Sequence, residues 1–284
     1  MYKIVKREAL KETVIRLTIE APLVAAKAKA GQFIILRVDD DCERIPLTIA
    51  GADPKAGTVK IIFHVVGATT LKLAHVPEGG FIQDFVGPLG NPTHIEGFKK
   101  VCVVGGGVGC AIALPIAEAF HAAGADVTSI IGFRNKDLVI LNDEFKAASN
   151  KLIIVSDDGS VGKKALVTEP LKELLQNGEK FDMIFTLGPL VMMKFVVLTA
   201  KEFNAPITVS MCPIMIDGTG MCGGCRISLN QDGKKITKFA CVDGPEFNGY
   251  EIDFDSAMAR GRTYADFEKH AYEETCNLFK KEVK

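Results

Sequence analysis

The 284-residue sequence has no excess of charge of either sign. Lysine and arginine total 34 and aspartate and glutamate total 35, so the formal net charge is −1. A chain without a basic or acidic surplus exerts no long-range attraction on nucleic acid or on an anionic membrane surface. We therefore expect no nucleic-acid partner. The 48% of hydrophobic residues indicates a globular protein that buries substantial cores.

Long hydrophobic runs are also missing. Charged residues interrupt the N-terminal segment MYKIVKREAL before an apolar core can form, so it does not resemble a signal peptide. The longest uncharged run, residues 101–117, contains glycines and a proline and fits a strand, a turn and a buried helix better than a membrane span. Eight cysteines at irregular spacing indicate a reduced, cytoplasmic protein that holds a metal rather than a disulfide scaffold.

Hydrophobic patterning divides the chain into parts of different character. Residues 1–97 contain short β-branched runs separated by Gly, Pro and Asp turns, which predicts a closed antiparallel β barrel. In residues 98–207, apolar strands alternate with helical stretches, as in a doubly wound parallel α/β sheet. We expect a small metal-cluster domain at residues 208–249 and a C-terminal helical tail at residues 250–284.

The segment DGTGMCGGC carries the most specific metal signal. Cys222 and Cys225 stand in glycine, and the hairpin predicted by the Asp-Gly pair in RISLNQDGKKITKFA returns Cys241 beside them. Counting back from Cys222 at the plant-type ferredoxin interval C-x₄-C-x₂-C reaches Asp217. The predicted ligands of a [2Fe–2S] cluster are therefore Asp217, Cys222, Cys225 and Cys241. Two alternatives stay open: Asp217 is a turn former and Cys212 the fourth ligand, or the cysteines bind zinc.

A glycine turn joins a strand to a helix in VVGGGVGCA. Glycines there let the backbone approach a pyrophosphate at a helix N-terminus, although the string departs from the usual dinucleotide fingerprint and tight strand–helix packing explains it equally well. A later strand of the same sheet ends at Gly188 and Pro189, on the edge where open α/β sheets bind ligands. The candidate residues in the turn are Gly105, Gly107, Val108 and Gly109.

The choice between NADH and NADPH depends on charged residues at the same edge. Asp157 and Asp158 follow one strand of the predicted sheet, and two carboxylates there would repel a 2′-phosphate. Arg134 follows another strand and argues in the opposite direction. The balance favours NAD(H).

The strand RIPLTIA resembles the flavin-binding strand of the ferredoxin–NADP reductase superfamily, and HVVGATT and GPLGN follow it in the family's order. Without that context, Arg44 is an ordinary surface charge and Pro46 an edge-strand proline. The resemblance implies that Arg44 pairs with the FAD phosphates and that residues 46–48 hold the ring. The cofactor-binding residues it implies in the barrel are Arg44, Pro46, Leu47, Thr48, His64, Val65, Val66, Gly67 and Thr70.

Over nearly its whole length the chain resembles the electron-transfer subunit of dihydroorotate dehydrogenase. Its aspartate variant of the cluster loop is more similar to the small subunit of NADH-dependent reduced ferredoxin:NADP oxidoreductase. That resemblance implies FAD, a [2Fe–2S] cluster and NAD(H), a larger partner subunit with a second flavin and [4Fe–4S] clusters, and ferredoxin as an indirect partner in electron bifurcation. It implies no catalytic side chain. Alternative functions are the electron-transfer subunit of an NAD-dependent dihydroorotate dehydrogenase and a non-redox regulatory module that binds zinc.

Overall fold

The computed structural model describes residues 1–282. The N-terminal part is a nearly closed antiparallel barrel of seven strands in the order β6-β1-β2-β5-β4-β3-β7. Two short helices lie in its connections. The elements are β1 (Tyr2–Lys11), β2 (Val14–Glu20), α1 (Pro22–Ala25), β3 (Phe33–Arg37), β4 (Ile45–Asp53), β5 (Thr58–His64), α2 (Ala68–His75), β6 (Phe81–Ile82) and β7 (Asp84–Leu89).

Cross-strand pairs of branched side chains fill the barrel. Leu17 of β2 lies opposite Ile61 of β5, and Ile19 lies opposite Val59. All four side chains are fully buried. Because successive side chains of a strand point to opposite faces, these pairs form one continuous apolar surface inside the barrel.

A second, parallel sheet follows the barrel, with helices in its connections. Its order is β11-β10-β9-β8-β12-β13-β16, where β16 (Glu246–Asn248) runs antiparallel to β13 and the other described neighbours run parallel. The elements are β8 (Lys100–Gly106), α3 (Cys110–Ala122), β9 (Asp126–Phe133), α4 (Asn142–Ala147), β10 (Lys151–Ser156), β11 (Lys163–Lys164), α5 (Thr168–Gln176), β12 (Met183–Leu187), α6 (Leu190–Glu202) and β13 (Ile207–Ser210). The connections leave β8 toward β9 and return to β12 on its other side, so the topological switch point lies between β8 and β12.

The C-terminal segment contains a two-stranded hairpin and three further elements. They are β14 (Arg226–Gln231), β15 (Lys234–Phe239), β16 (Glu246–Asn248), α7 (Phe254–Gly261) and α8 (Ala265–Glu282). Asp232 and Gly233 both have positive φ, as a two-residue hairpin turn requires, and the predicted hairpin is confirmed. Helix α8 packs against α2 of the barrel.

The hairpin segment shares its core with the parallel sheet. Buried residues from β14 and from the loop after β15 join one apolar cluster with residues of β8, β12 and β13. Strand β16 pairs with β13, so the segment also extends the sheet by a strand. The predicted fold class, a barrel followed by a parallel α/β sheet and a small cluster-binding unit, is confirmed. Among residues 1–282, no helix has the length and apolarity that crossing a membrane demands.

Candidate functional site

The glycine turn after β8 lies at the switch point of the parallel sheet. A Cβ added at Gly109 would stand 2.5 Å from Cα of Gly188, so the close approach of α3 to the loop after β12 requires glycine there. Gly107 has φ +55°, and no described atom lies within 4 Å of a Cβ built on it. Tight packing therefore explains Gly109, whereas Gly107 leaves open space in which a pyrophosphate can approach the backbone.

The other glycines of this region also serve packing. A Cβ at Gly105 would lie 3.1 Å from Sγ of Cys110, the first residue of α3. Gly188 follows β12, and Pro189 precedes the first turn of α6. Leu187 pairs in register with Gly105, which brings the two loops to the same edge of the sheet.

The charged residues predicted to select the nucleotide lie together at the ends of β9 and β10. The backbone N–H of Asp158 donates to the carbonyl of Arg134 at 3.3 Å. Ser160 donates to the Asp158 carboxylate through its hydroxyl at 2.7 Å and its N–H at 2.9 Å, and these bonds lower the pKa of Asp158. Asp157 is exposed beside it. The edge thus carries two accessible carboxylates and one accessible guanidinium.

The predicted flavin strand β4 has one open side. Residues 45–48 pair with β3, whereas pairing with β5 begins only at Ile49. Within residues 1–282, therefore, no strand pairs with the side of Pro46, Leu47 and Thr48 that faces away from β3. A proline is tolerated at such a position because it has no N–H to leave unpaired.

The end of β5 brings the barrel close to the parallel sheet. His64 Nε2 is 3.0 Å from the Thr13 hydroxyl, and Val65 donates its N–H to the Thr13 carbonyl at 2.8 Å. Burial, followed by the positive charge of Arg134, lowers the pKa of His64. Strand β5 also contacts the turn Gly107–Gly109, and α3 packs against β4. The flavin strands, the glycine turn and the nucleotide edge therefore surround one region.

A local hydrogen-bond network occupies the hydroxyl of Thr70. The Thr70 hydroxyl accepts hydrogen bonds from the N–H groups of Val66 and Gly67 at 3.0 and 2.9 Å and donates one to the carbonyl of Gly67. This network caps the N-terminus of α2, and Val66 remains 66% exposed in front of it. Thr70 therefore shapes the turn, and the turn's backbone and Val66 present the surface available to a cofactor.

Arg44 connects the flavin strand to the cluster loop. Its Nε donates to the carbonyl of Ile216 at 2.8 Å. Its nearest carboxylate is that of Asp84, 4.0 Å from Nη1, and Arg37 holds the same carboxylate more closely at 2.8 Å. Because a guanidinium has five N–H donors, Arg44 retains donors for a phosphate while it touches the residue before Asp217.

Asp217 and Cys222 form the first pair of predicted ligands. One oxygen of the Asp217 carboxylate accepts the N–H of Thr219 at 2.9 Å and that of Met221 at 3.3 Å, and its other oxygen has no described partner. Hydrogen bonding from Thr219 is the main cause that lowers the pKa of Asp217. The backbone N–H groups of Gly224 and Asp217 favour the Cys222 thiolate and lower its pKa.

Cys225 and Cys241 form the second pair. Cys225 ends the glycine loop, Cys241 follows β15, and both are 2% exposed with their Sγ atoms 3.2 Å apart. Burial, with a further contribution from Cys225, raises the pKa of Cys241 to about 12. Such thiols deprotonate when a metal compensates the charge.

The donor set fits a binuclear cluster. Among residues 1–282, no three His, Cys, Asp or Glu side chains converge on a preformed site for a single metal ion. The two predicted pairs of donors, Asp217 with Cys222 and Cys225 with Cys241, would supply two ligands for each of two irons. Cys212 is exposed and lines a cavity of about 230 Å³, and no described hydrogen bond joins its sulfur to the other three cysteines.

Two residues near the loop escaped prediction. Arg226 donates to the Gly223 carbonyl and Arg260 to the Gly224 carbonyl, each at 3.0 Å. Arg226 follows the predicted ligand Cys225 directly in the sequence, so its position alone could have identified it as a neighbour of the cluster loop. Arg260 lies 36 residues from its acceptor, and no local pattern in the sequence indicates that contact.

Comparison with known proteins agrees with this geometry. The iron–sulfur cluster binding domain of dihydroorotate dehydrogenase B matches residues 213–253, a span that contains all four predicted ligands and begins after Cys212. The solved structure described as NADH-dependent reduced ferredoxin-NADP oxidoreductase superposes with a TM-score of 0.89 at 46% identity, covering 96% of this chain and 97% of that one. A ferredoxin reductase of carbazole 1,9a-dioxygenase, 17% identical with a TM-score of 0.62, shares the fold.

Curated relatives match along most of the chain. The dihydroorotate dehydrogenase B (NAD(+)) electron transfer subunit homolog of Thermotoga maritima is 46% identical over 271 residues, which are 95% of this chain and 94% of that protein. The electron transfer subunit of Streptococcus pneumoniae is 31% identical over 250 residues, 86% of this chain and 97% of that protein. The chain therefore belongs to the family of dihydroorotate dehydrogenase B electron transfer subunits.

Proposed function

We propose that this chain is the FAD- and [2Fe–2S]-containing subunit that moves electrons between NAD(H) and a larger partner in an electron-bifurcating NADH-dependent ferredoxin–NADP oxidoreductase. One observation carries the proposal: Arg44, at the start of the open flavin strand, donates to the carbonyl of Ile216, the residue before the first cluster ligand. The flavin strand and the cluster loop are therefore in direct contact, which supports electron transfer between cofactors bound at the two sites.

Bound FAD and a [2Fe–2S] cluster supply the conversion between two-electron hydride chemistry and single-electron transfer. The residues of this chain bind and orient these groups. Arg44 neutralises the flavin phosphates, the open side of residues 46–48 receives the ring, and the glycine turn receives the nucleotide pyrophosphate. Asp217 with Cys222 and Cys225 with Cys241 hold the irons, and the burial of the second pair excludes water from that side.

The partner is a larger subunit with a second flavin and [4Fe–4S] clusters. The remaining cysteines of this chain do not provide such sites; Cys102 and Cys110, for example, are fully buried among apolar side chains. Ferredoxin exchanges electrons with the partner, and the complex works in the cytoplasm. The electron-transfer-subunit names of the relatives support the existence of a partner.

A second candidate is the electron-transfer subunit of an NAD-dependent dihydroorotate dehydrogenase. The names of the curated relatives favour it, both the Thermotoga maritima homolog at 46% identity and the Streptococcus pneumoniae subunits at 31% identity. The 46% identity to the ferredoxin-NADP oxidoreductase structure, over 96% of this chain, favours the first candidate.

Anaerobic purification of the native complex tests both candidates. We expect iron and flavin in the preparation, a visible spectrum of both groups, and NADPH oxidation that reduces NAD⁺ and ferredoxin together. Orotate formation from dihydroorotate with NAD⁺, without coupled ferredoxin reduction, would assign the second candidate. A colourless preparation that contains zinc would refute both.

A further inference from the structure

Two arginines hold the outer side of the loop that follows Cys222. Nη1 of Arg226 donates to the carbonyl of Gly223 at 3.0 Å, and Nη2 of Arg260 donates to the carbonyl of Gly224 at 3.0 Å. Arg226 begins β14 and Arg260 lies in the last turn of α7, so two separate elements grip two consecutive peptide units. We call these residues the arginine clamp.

The clamp fixes which way the peptide N–H groups point. A trans peptide unit is planar, and its C=O and N–H point in opposite directions. Arg226 binds the C=O of the unit between Gly223 and Gly224, and the N–H of the same unit lies 3.4 Å from Sγ of Cys222. By the same geometry, Arg260 turns the N–H of Cys225 away from the clamp and toward the interior of the loop.

The positive charges of the clamp are not neutralised nearby. Within the part of the chain that the structure describes, no carboxylate lies within 4.0 Å of either guanidinium. Both arginines line the cavity of about 230 Å³ next to the loop, and the other residues around it are uncharged. A positive charge and N–H···S hydrogen bonds both stabilise the state of a cluster that holds the additional electron.

We propose that Arg226 and Arg260 are positioning residues that aim peptide N–H groups at the cluster sulfurs and raise the reduction potential of the bound [2Fe–2S] cluster. This inference rests on the proposed function, because it requires a cluster in this loop. Its consequence is that the cluster accepts an electron from the neighbouring flavin more readily than the four ligands alone would allow.

The test is the cluster's reduction potential in the complete native complex, measured by a redox titration followed by electron paramagnetic resonance. Arg226→Gln and Arg260→Gln remove the charge and should each shift the reduction equilibrium about tenfold toward the oxidised state, which is about 59 mV for a one-electron couple. Arg226→Lys and Arg260→Lys keep the charge but lose the planar donor, so we expect smaller shifts of the same sign.

Arg262→Gln is the matched control. Arg262 is exposed, caps the same helix, and has no described side-chain contact with the loop, so its replacement should leave the potential unchanged. If the glutamine variants retain iron, an unchanged or raised potential in both overturns the inference, as does an equal fall with Arg262→Gln. If the glutamine variants lose iron, the lysine variants are titrated instead, and an unchanged or raised potential in both of them overturns the inference. An iron-free wild-type complex would instead overturn the proposed function.

Discussion

Replacing Glu246 with glutamine is expected to stabilise the protein at alkaline pH and to change little at pH 4.5. Glu246 lies on β16, and its Oε1 accepts the hydroxyl of the buried Thr93 at 2.5 Å. Burial raises the pKa of this carboxyl from 4.5 to about 7, and the hydrogen bond from Thr93 opposes part of that rise. The folded protein therefore favours protonated Glu246.

The sign and size of this change in stability follow from the linkage between proton binding and folding. Between pH 4.5 and about 7 the folded state keeps a proton that the unfolded state has released, so stability falls as pH rises through that window. At 1.36 kcal/mol for each pH unit, the loss reaches at most about 3 kcal/mol above pH 7. Glutamine is never charged, and its amide oxygen can still accept a hydrogen bond from the Thr93 hydroxyl. The Glu246→Gln variant should therefore not lose stability as the pH rises.

Thermal unfolding of the purified flavoprotein from pH 4.5 to 8.5 measures this effect. A chain of this size gains roughly 2 °C for each kcal/mol, so the melting temperature of Glu246→Gln should exceed that of wild type by up to about 6 °C at pH 8. Glu12→Gln, which changes an exposed carboxylate between β1 and β2, should show a difference independent of pH. A pH-independent difference for Glu246→Gln, or a loss of stability at pH 8, would refute the reasoning.

Three further predictions concern the site. Asp217→Cys should keep a [2Fe–2S] spectrum with a shifted potential and Cys212→Ser should leave the spectrum unchanged; loss of iron from Cys212→Ser alone would transfer the ligand role to Cys212. Gly109→Ala should lower the free energy of unfolding by about 1–3 kcal/mol, because its Cβ would overlap the loop after β12, and unchanged melting would contradict this. Replacing Asp157 and Asp158 by asparagine should raise the ratio of kcat/KM for NADPH to that for NADH about fivefold. The reason is that about 1 kcal/mol of charge repulsion toward the 2′-phosphate is removed. An unchanged ratio would place the 2′-phosphate elsewhere.

Local sequence chemistry predicted much of the fold and of the cluster loop. The Asp232-Gly233 pair identified the hairpin because both residues adopt positive φ, which few residue types tolerate. The spacing of Cys222 and Cys225 identified the loop because a cluster needs ligands at short, fixed intervals. These signals are contained in a few consecutive residues, and no knowledge of tertiary structure is needed to recognise them.

Contacts between distant segments could not be predicted in the same way. Arg260 meets Gly224 only because α7 packs beside β14, and Arg44 meets Ile216 across 172 residues of sequence. Thr70 was expected among the cofactor-binding residues, and the structure shows its hydroxyl bonded to its own turn. Whether it also contacts a cofactor stays a prediction.

The pairing of β16 with β13 has a consequence for how electrons leave the protein. Three register positions join the iron-binding segment to the parallel sheet: Thr208 with Asn248, Val209 with Phe247 and Ser210 with Glu246. A cluster bound in this segment would therefore keep a constant distance and orientation to the nucleotide-binding sheet, and an electron acceptor would have to dock against the segment.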